Sequence, residues 1–425
     1  MTIHVGSIAA SSSLASRVQV VRSPGGVEAL LLEDHALPLV SMAFGFRGGA
    51  ALDEDGKAGT ARMVGGLLCE GAGPYDDQAF QVALADRAIQ LSFGIERDRL
   101  TGSLLTLASD LDQACGLLGT ALREPRFAVP ELERRRGVYA AELRRSLNQP
   151  GAVADTIFWE RGFRGHAYGR PPGGTLSDLP AIDREAVVAL HAALVTRTSL
   201  RIAVVGAVRP EDLAAALDEA FAGLPEGSAH SLPETALGGV GESITQFVES
   251  PQSSVFFGRP AIPMHDPDFP AAMVINHCLG GSPSASRLFA ELREKRGLCY
   301  SVWTGFDVSE GVASLVGSTS TPNEHVGQSV ELIGSEIGRL AQDGLDDDEI
   351  DAARRYLIGS HAVRLDTSAA ITRLLLAMQF DGRSLSWLDE RGPRLAAVTS
   401  QDITRATARL FGDGGLLVVS AGGAR

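Results

Sequence analysis

The chain is 425 residues long, 44% hydrophobic and 21% charged, with a formal net charge of −14 at pH 7. The composition is that of a soluble globular protein and argues against disorder and against membrane insertion, while the length implies two domains of about 200 residues rather than one enlarged core. The acidic balance and the lack of a long basic stripe exclude nucleic acid and anionic membrane surfaces as partners.

Met1 to Val18 lacks the charged start and continuous apolar stretch of a secretory leader, and no later run approaches the roughly 20 apolar residues of a membrane helix. Three β-like runs open the chain, Arg17–Arg22, Val27–Leu32 and Leu39–Phe46, separated by Ser-Pro-Gly-Gly and His-Ala-Leu-Pro breakers. Helical patterns at Gly59–Cys69 and Asp77–Ile89 precede two alternating strands, Gln90–Glu96 and Leu100–Leu107, whose Asp-Arg connection suits a tight antiparallel turn. All these strands are expected in one sheet. Amphipathic helices dominate from Asp110 to Val195, Pro130–Leu147 being an example, and the first half closes on a strand at Leu200–Val205 and a helix at Pro210–Ala222.

Residues 224–242, rich in Gly, Pro and Ser and without a hydrophobic period, read as an interdomain linker and a candidate hinge. The element order then repeats: a strand at Ser254–Gly258, helices at Pro267–Leu279 and Ser284–Lys295, paired strands at Cys299–Val308 and Gly311–Ser318, further helices, and a terminal strand at Gly415–Ser420. Phe80 and Leu84 lead into Leu91-Ser92-Phe93 much as Phe289 and Leu292 lead into Tyr300-Ser301-Val302. The expected fold class is therefore α+β, two homologous domains over 1–223 and 243–425, each a mostly antiparallel sheet with helices on one face. Cys69, Cys115, Cys278 and Cys299 form no CxxC pair and lack His at ligand spacing, so free, mostly buried thiols are expected.

The segment Leu279–Val302 carries a Gly-Gly turn, Ser-Arg-Leu-Phe, a helix, and then Arg293 and Tyr300. Further marks are Asp266-Pro267-Asp268, Phe46-Arg47-Gly48-Gly49, Gly59 to Gly71, and His166-Ala167-Tyr168-Gly169-Arg170-Pro171. Together they resemble the pitrilysin/insulinase family of peptidases over nearly the whole chain. Zinc enzymes of that family carry H-x-x-E-H on a helix, two His for the metal and a Glu to activate water. The matching helix here reads Ala61-Arg62-Met63-Val64-Gly65-Gly66-Leu67, which sets Arg62 at the first His, Gly65 at the Glu and Gly66 at the second His. A cation and two glycines neither bind zinc nor take a proton from water. The family's third ligand, a Glu further along, has a counterpart in Glu142, read here as a surface or locally paired carboxylate. The nine His include no pair four apart, His166 reads as structural, and no P-loop or GxGxxG pattern supports nucleotide binding.

The resemblance implies the non-metal subunit of a bacterial heterodimeric zinc metallopeptidase that encloses and hydrolyses peptides, inactive alone and without a cofactor of its own. A homologous H-x-x-E-H partner would supply zinc and the general base. Arg293 and Tyr300 would supply donors to a substrate carbonyl and to the oxyanion that forms when the carbonyl is attacked. Gly280 and Gly281 match a glycine-rich loop associated with substrate handling in the non-metal subunit of mitochondrial processing peptidases, although a helix C-cap is an equal reading. The compartment implied is the periplasm if a leader has been removed, and otherwise the cytoplasm. Two other readings stay open: an inert structural or assembly subunit resembling respiratory-complex core proteins, and a peptide-binding homodimer without catalysis.

Overall fold

The computed structural model describes residues 13–423 apart from 229, 231 and 311, so most of the Met1–Val18 stretch and the start of the strand expected at Gly311 lie outside it. Short apolar runs build two sheets. The first contains β1 (Val18–Arg22), β2 (Glu28–Glu33), β3 (Leu39–Arg47), β4 (Gln90–Ile95), β5 (Arg99–Leu107) and β6 (Leu200–Gly206), in the order β1-β2-β6-β3-β5-β4. The second contains β7 (Ser243–Phe247), β8 (Ser250–Pro260), β9 (Val302–Ser309), β10 (Val312–Pro322) and β11 (Leu417–Gly423), in the order β7-β11-β8-β10-β9. Among the described residues only β2–β6 and β7–β11 pair in parallel. The run β2-β6-β3-β5-β4 thus recurs as β7-β11-β8-β10-β9 with the same strand directions, which is the duplication expected from the sequence.

Alternation along the strands sorts side chains between two cores. Ala29, Leu31, Ile202 and Val204 face helices of their own half, whereas Leu30, Leu32, Ala203 and Val205 point to the opposite face. That face is covered by the helix Ser368–Phe380 of the second half, through Leu375, Leu376, Met378 and Phe380. The exchange is reciprocal: the helix Pro150–Gly162 of the first half lays Ala154, Phe158 and Trp159 on Leu417, Val419 and Ala421 of β11. Within each half the remaining helices keep to one face, and the other face is covered by a helix from the opposite half. Burial on both faces explains the continuous apolar runs of β6 and β11, since neither has a side left for water.

Leu237 to Gly241, in the stretch expected as a linker, pack beside this exchanged helix. Leu237 is 2% exposed in the same core, the Gly238 amide donates to Gly162 O at 2.7 Å, and the Gly241 amide donates to Leu416 O at 2.9 Å. Strand β7, which carries no apolar alternation and is mostly exposed, forms only because β11 offers it a partner. The two hairpin turns also meet: the Glu310 amide, just past β9, donates to Asp98 at 2.8 Å, Arg47 pairs with Glu310 at 2.5 Å, and the Arg97 guanidinium lies 3.8 Å over the Trp159 ring. All four cysteines are free, with Cys115, Cys278 and Cys299 buried. Among the described residues no helix is long and apolar enough to cross a membrane.

Candidate functional site

The helix that matches the zinc motif, Thr60–Leu67, starts at Gly59, whose φ of 102° only glycine adopts without strain. Its first amides are capped from outside by Asp53, 4% exposed, which accepts from Gly59 and Ala61, each at 2.7 Å. Burial pushes the Asp53 carboxyl up to about 6, against the two amides that pull it down. A raised folded-state value means that this group's stabilisation is complete below the ordinary carboxylate range and is lost as pH rises through about 6. Asp53→Asn is therefore expected to lower the melting temperature more on the acid side of that value than on the alkaline side. Paired thermal melts check this, and a penalty that grows with pH would show that the charge of the cap outweighs its burial.

On this helix the Arg62 guanidinium forms an ion pair with Glu142, donates to Gly173 O at 3.2 Å and stacks 3.8 Å above the Tyr139 ring. Glu142 and Tyr139 lie one turn apart on the helix Val129–Ser146. The Tyr139 hydroxyl donates to Arg62 O at 3.3 Å, and a Cβ built on Gly66 would overlap that hydroxyl. Gly65 faces Ile95 of the edge strand β4, where a Cβ would come 3.2 Å from Ile95 Cγ1. A cavity of about 290 Å³ persists beside these groups, lined among others by Phe93, Ile95 and Gly173. Glu142 is thus a locally paired carboxylate. Zinc does not fit this set, because its sole carboxylate is neutralised by a guanidinium and the other two positions carry no donor. Among the described residues no group of three or more His, Cys, Asp or Glu is placed to hold a metal.

In the second half, Arg293 sits on a π-helical turn, Phe289–Glu294, in place of the regular helix expected at Ser284–Lys295. Glu291, 7% exposed, fastens this turn by pairing with Lys295 at 2.5 Å and with Arg296, and those two partners hold its carboxyl down at about 2. The Arg293 guanidinium lies 5.0 Å from the Phe289 ring centroid and 4.7 Å from that of Tyr300, so the fold brings the Arg and Tyr together. Tyr300 is 82% exposed and, contrary to expectation, lies ahead of the strand, which begins at Val302. The cause is local: Thr321 Oγ1 donates to Leu298 O at 2.7 Å and Thr319 Oγ1 to Ser301 O at 2.9 Å. Two β10 hydroxyls satisfy carbonyls that a ladder would otherwise take, and the chain leaves the sheet with the Tyr300 side chain outward.

Gly280 and Gly281 end the helix that begins at Phe269, in a π-helical turn His277–Gly281. Neither has a positive φ, so no left-handed cap is present. Gly280 is buried because a Cβ there would come within 2.8 Å of Thr304 Cγ2 on β9, whereas Gly281 is exposed. The zinc-motif pattern does not point to Tyr139, although its spacing of three from Glu142 places both on one helix face.

Residues 181–357 match the family profile described as peptidase M16 inactive domain. A Helicobacter pylori relative named non-peptidase homolog YmxG is 24% identical over 336 residues, 79% of this chain and 78% of that protein. An uncharacterized zinc protease of Streptomyces coelicolor is 30% identical over 313 residues, 70% of this chain and 65% of that protein. The crystal structure of a peptidase M16 inactive domain from Pseudomonas fluorescens superposes with a TM-score of 0.87 at 25% identity, covering 96% of this chain and 98% of that one. The chain resembles M16 proteins over most of its length. A chain of complex III2 from Candida albicans shares the M16 fold alone, with a TM-score of 0.79 at 16% identity over 95% of this chain and 96% of that one. The helix Thr60–Leu67 lies outside the residues that match this profile; there Arg62, Gly65 and Gly66 offer no metal ligand and no proton acceptor, and Glu142 is paired with Arg62.

Proposed function

We propose that this chain is the non-metal subunit of a heterodimeric zinc peptidase and supplies Arg293 and Tyr300 to a site whose metal and general base belong to a homologous H-x-x-E-H partner. The observation that supports this best is the exposed Tyr300, stacked on an Arg293 that makes no ion pair among the described residues, in a chain whose own zinc helix is filled. A large aromatic and an uncompensated guanidinium held side by side at the surface are poor choices for solubility and good ones for meeting a developing oxyanion and a substrate carbonyl. Peptide would be held as an added strand on a free sheet edge, β4 being one, with the exposed backbone at Gly281 as a second contact. By resemblance the pair would act in the periplasm, which fractionation of cells carrying a tagged chain checks.

The test is co-purification with an H-x-x-E-H homologue, followed by hydrolysis of an unstructured fluorogenic peptide. The pair is expected to cleave it in a chelator-sensitive manner, and the isolated chain with excess zinc is expected not to. Chelator-sensitive turnover by the isolated chain would overturn the proposal. The likeness in fold to a complex III2 chain favours a second reading, an inert scaffold, which predicts that substitutions at Arg293 and Tyr300 leave cleavage by any assembly unchanged.

A further inference from the structure

We propose that Arg62, Tyr139 and Glu142 form a metal substitute that blocks the ligand positions of the helix matching the zinc motif, so that placing His and Glu side chains there does not create metal binding. The inference rests on the resemblance of the helix Thr60–Leu67 to the H-x-x-E-H helix and is independent of any partner subunit. A ligand-depleted site could have kept an open cavity with a stranded carboxylate. Here a cavity of about 290 Å³ remains but the carboxylate is not stranded, because the Arg62 guanidinium brings a permanent positive charge to Glu142 and also takes Gly173 O, which ties the helix Thr60–Leu67, the helix Val129–Ser146 and the Pro172–Gly173 segment together. A bound cation would make the same cross-link between the first two elements. Glu142 therefore needs no metal to be compensated, and the local cross-link does not depend on metal ligands.

The block itself is Tyr139. Tyr139 is 8% exposed, its ring centroid lies 3.8 Å from the Arg62 guanidinium and 5.9 Å from that of Arg135, and its hydroxyl is anchored on Arg62 O at 3.3 Å. That hydroxyl sits where the first side-chain carbon of residue 66 would be, so Gly66 is the only residue type that leaves Tyr139 undisturbed. A His placed at position 66 must first expel a buried aromatic ring. Position 65 is more forgiving, since its nearest neighbour is the flexible Ile95 side chain at 3.2 Å. The restriction therefore lies at one residue pair, 66 with 139, and that pair separates a blocked site from one merely lacking ligands.

The test compares the triple variant R62H/G65E/G66H with the same variant carrying Tyr139→Ala, each dialysed against zinc and then assayed for bound metal, and separately titrated with cobalt(II) for a tetrahedral absorption spectrum. The triple variant is expected to retain almost no zinc, and the quadruple variant about one zinc per chain. Stoichiometric zinc in the triple variant, or none in a folded quadruple variant, overturns the proposal. Should the triple variant fail to fold, thermal melts of single substitutions decide the same point. Gly66→Ala is expected to lower the melting temperature in the parent chain and to have no effect in the Tyr139→Ala background, and equal effects in both backgrounds count against the block.

Discussion

Arg293→Ala and Tyr300→Phe are each expected to lower peptide hydrolysis by the proposed heterodimer by about 10²–10³-fold, the range for removing one pre-positioned donor to a developing oxyanion. The chain's melting temperature and its association with the partner should be unchanged. The geometry separates the two readouts: Tyr300 is 82% exposed, so its hydroxyl contributes nothing to the interior, and Arg293 forms no ion pair among the described residues whose loss would strand a carboxylate. Among the described residues its guanidinium lies against two aromatic rings. Removing the Tyr300 hydroxyl keeps the ring, and with it the stack on Arg293, so Tyr300→Phe isolates the donor from the packing. A rate loss in Arg293→Ala alone would assign the pair to substrate grip rather than to charge stabilisation, and undiminished cleavage in both variants would favour the scaffold reading.

Phe158→Ala is expected to destabilise the chain by about 3–5 kcal/mol, as for a large aromatic removed from a core that cannot collapse around the void. Phe158 has no exposed surface, meets the Phe256 ring at 5.2 Å and the Trp159 ring at 5.6 Å, and fills space that a Cβ on Gly258 would enter, 2.7 Å from the Phe158 ring. Its helix belongs to the first half, and Phe256 and Gly258, which it packs against, belong to the second, so the substitution weakens the joint between them. Urea unfolding followed by tryptophan fluorescence measures the effect, because Trp159 is a neighbour on the same helix. A change below about 1 kcal/mol, typical of a surface position, would mean that the exchanged helix is not part of the cooperative core.

Much of this architecture was legible along the chain because it is local. Period-two and helical apolar patterns located most strands and helices, and the repetition of Phe80-Leu84 before β4 by Phe289-Leu292 before β9 disclosed the duplication. Errors cluster where non-local partners decide. Strand β7 has no apolar signature and exists through its pairing with β11, more than 170 residues away. The helix expected over Asp77–Ile89 ends at Ala85, with Ala88 at a φ of 52° turning the chain into β4. Strand β9 starts at Val302 instead of Cys299 because hydroxyls of Thr319 and Thr321 capture the backbone before it. The helix carrying Arg293 became a π-helical turn gathered around the buried Glu291, whose partners include Arg339 on a distant helix.

What the sequence by itself determined is the chemistry that is missing: Arg62, Gly65 and Gly66 offer no metal ligand and no base in any conformation, because ligation is a property of side-chain atoms before it is a property of the fold. It also placed the pair proposed to act on substrate, Arg293 and Tyr300, within a duplicated α+β chain. Only the tertiary structure decided what occupies the ligand positions of that helix. The Arg62–Glu142 pair spans 80 residues of sequence and the Tyr139–Arg62 contact spans 77, and each depends on how two helices cross. The same holds for the helices exchanged between the halves, since periodicity records that a face is apolar but not which distant sheet it covers.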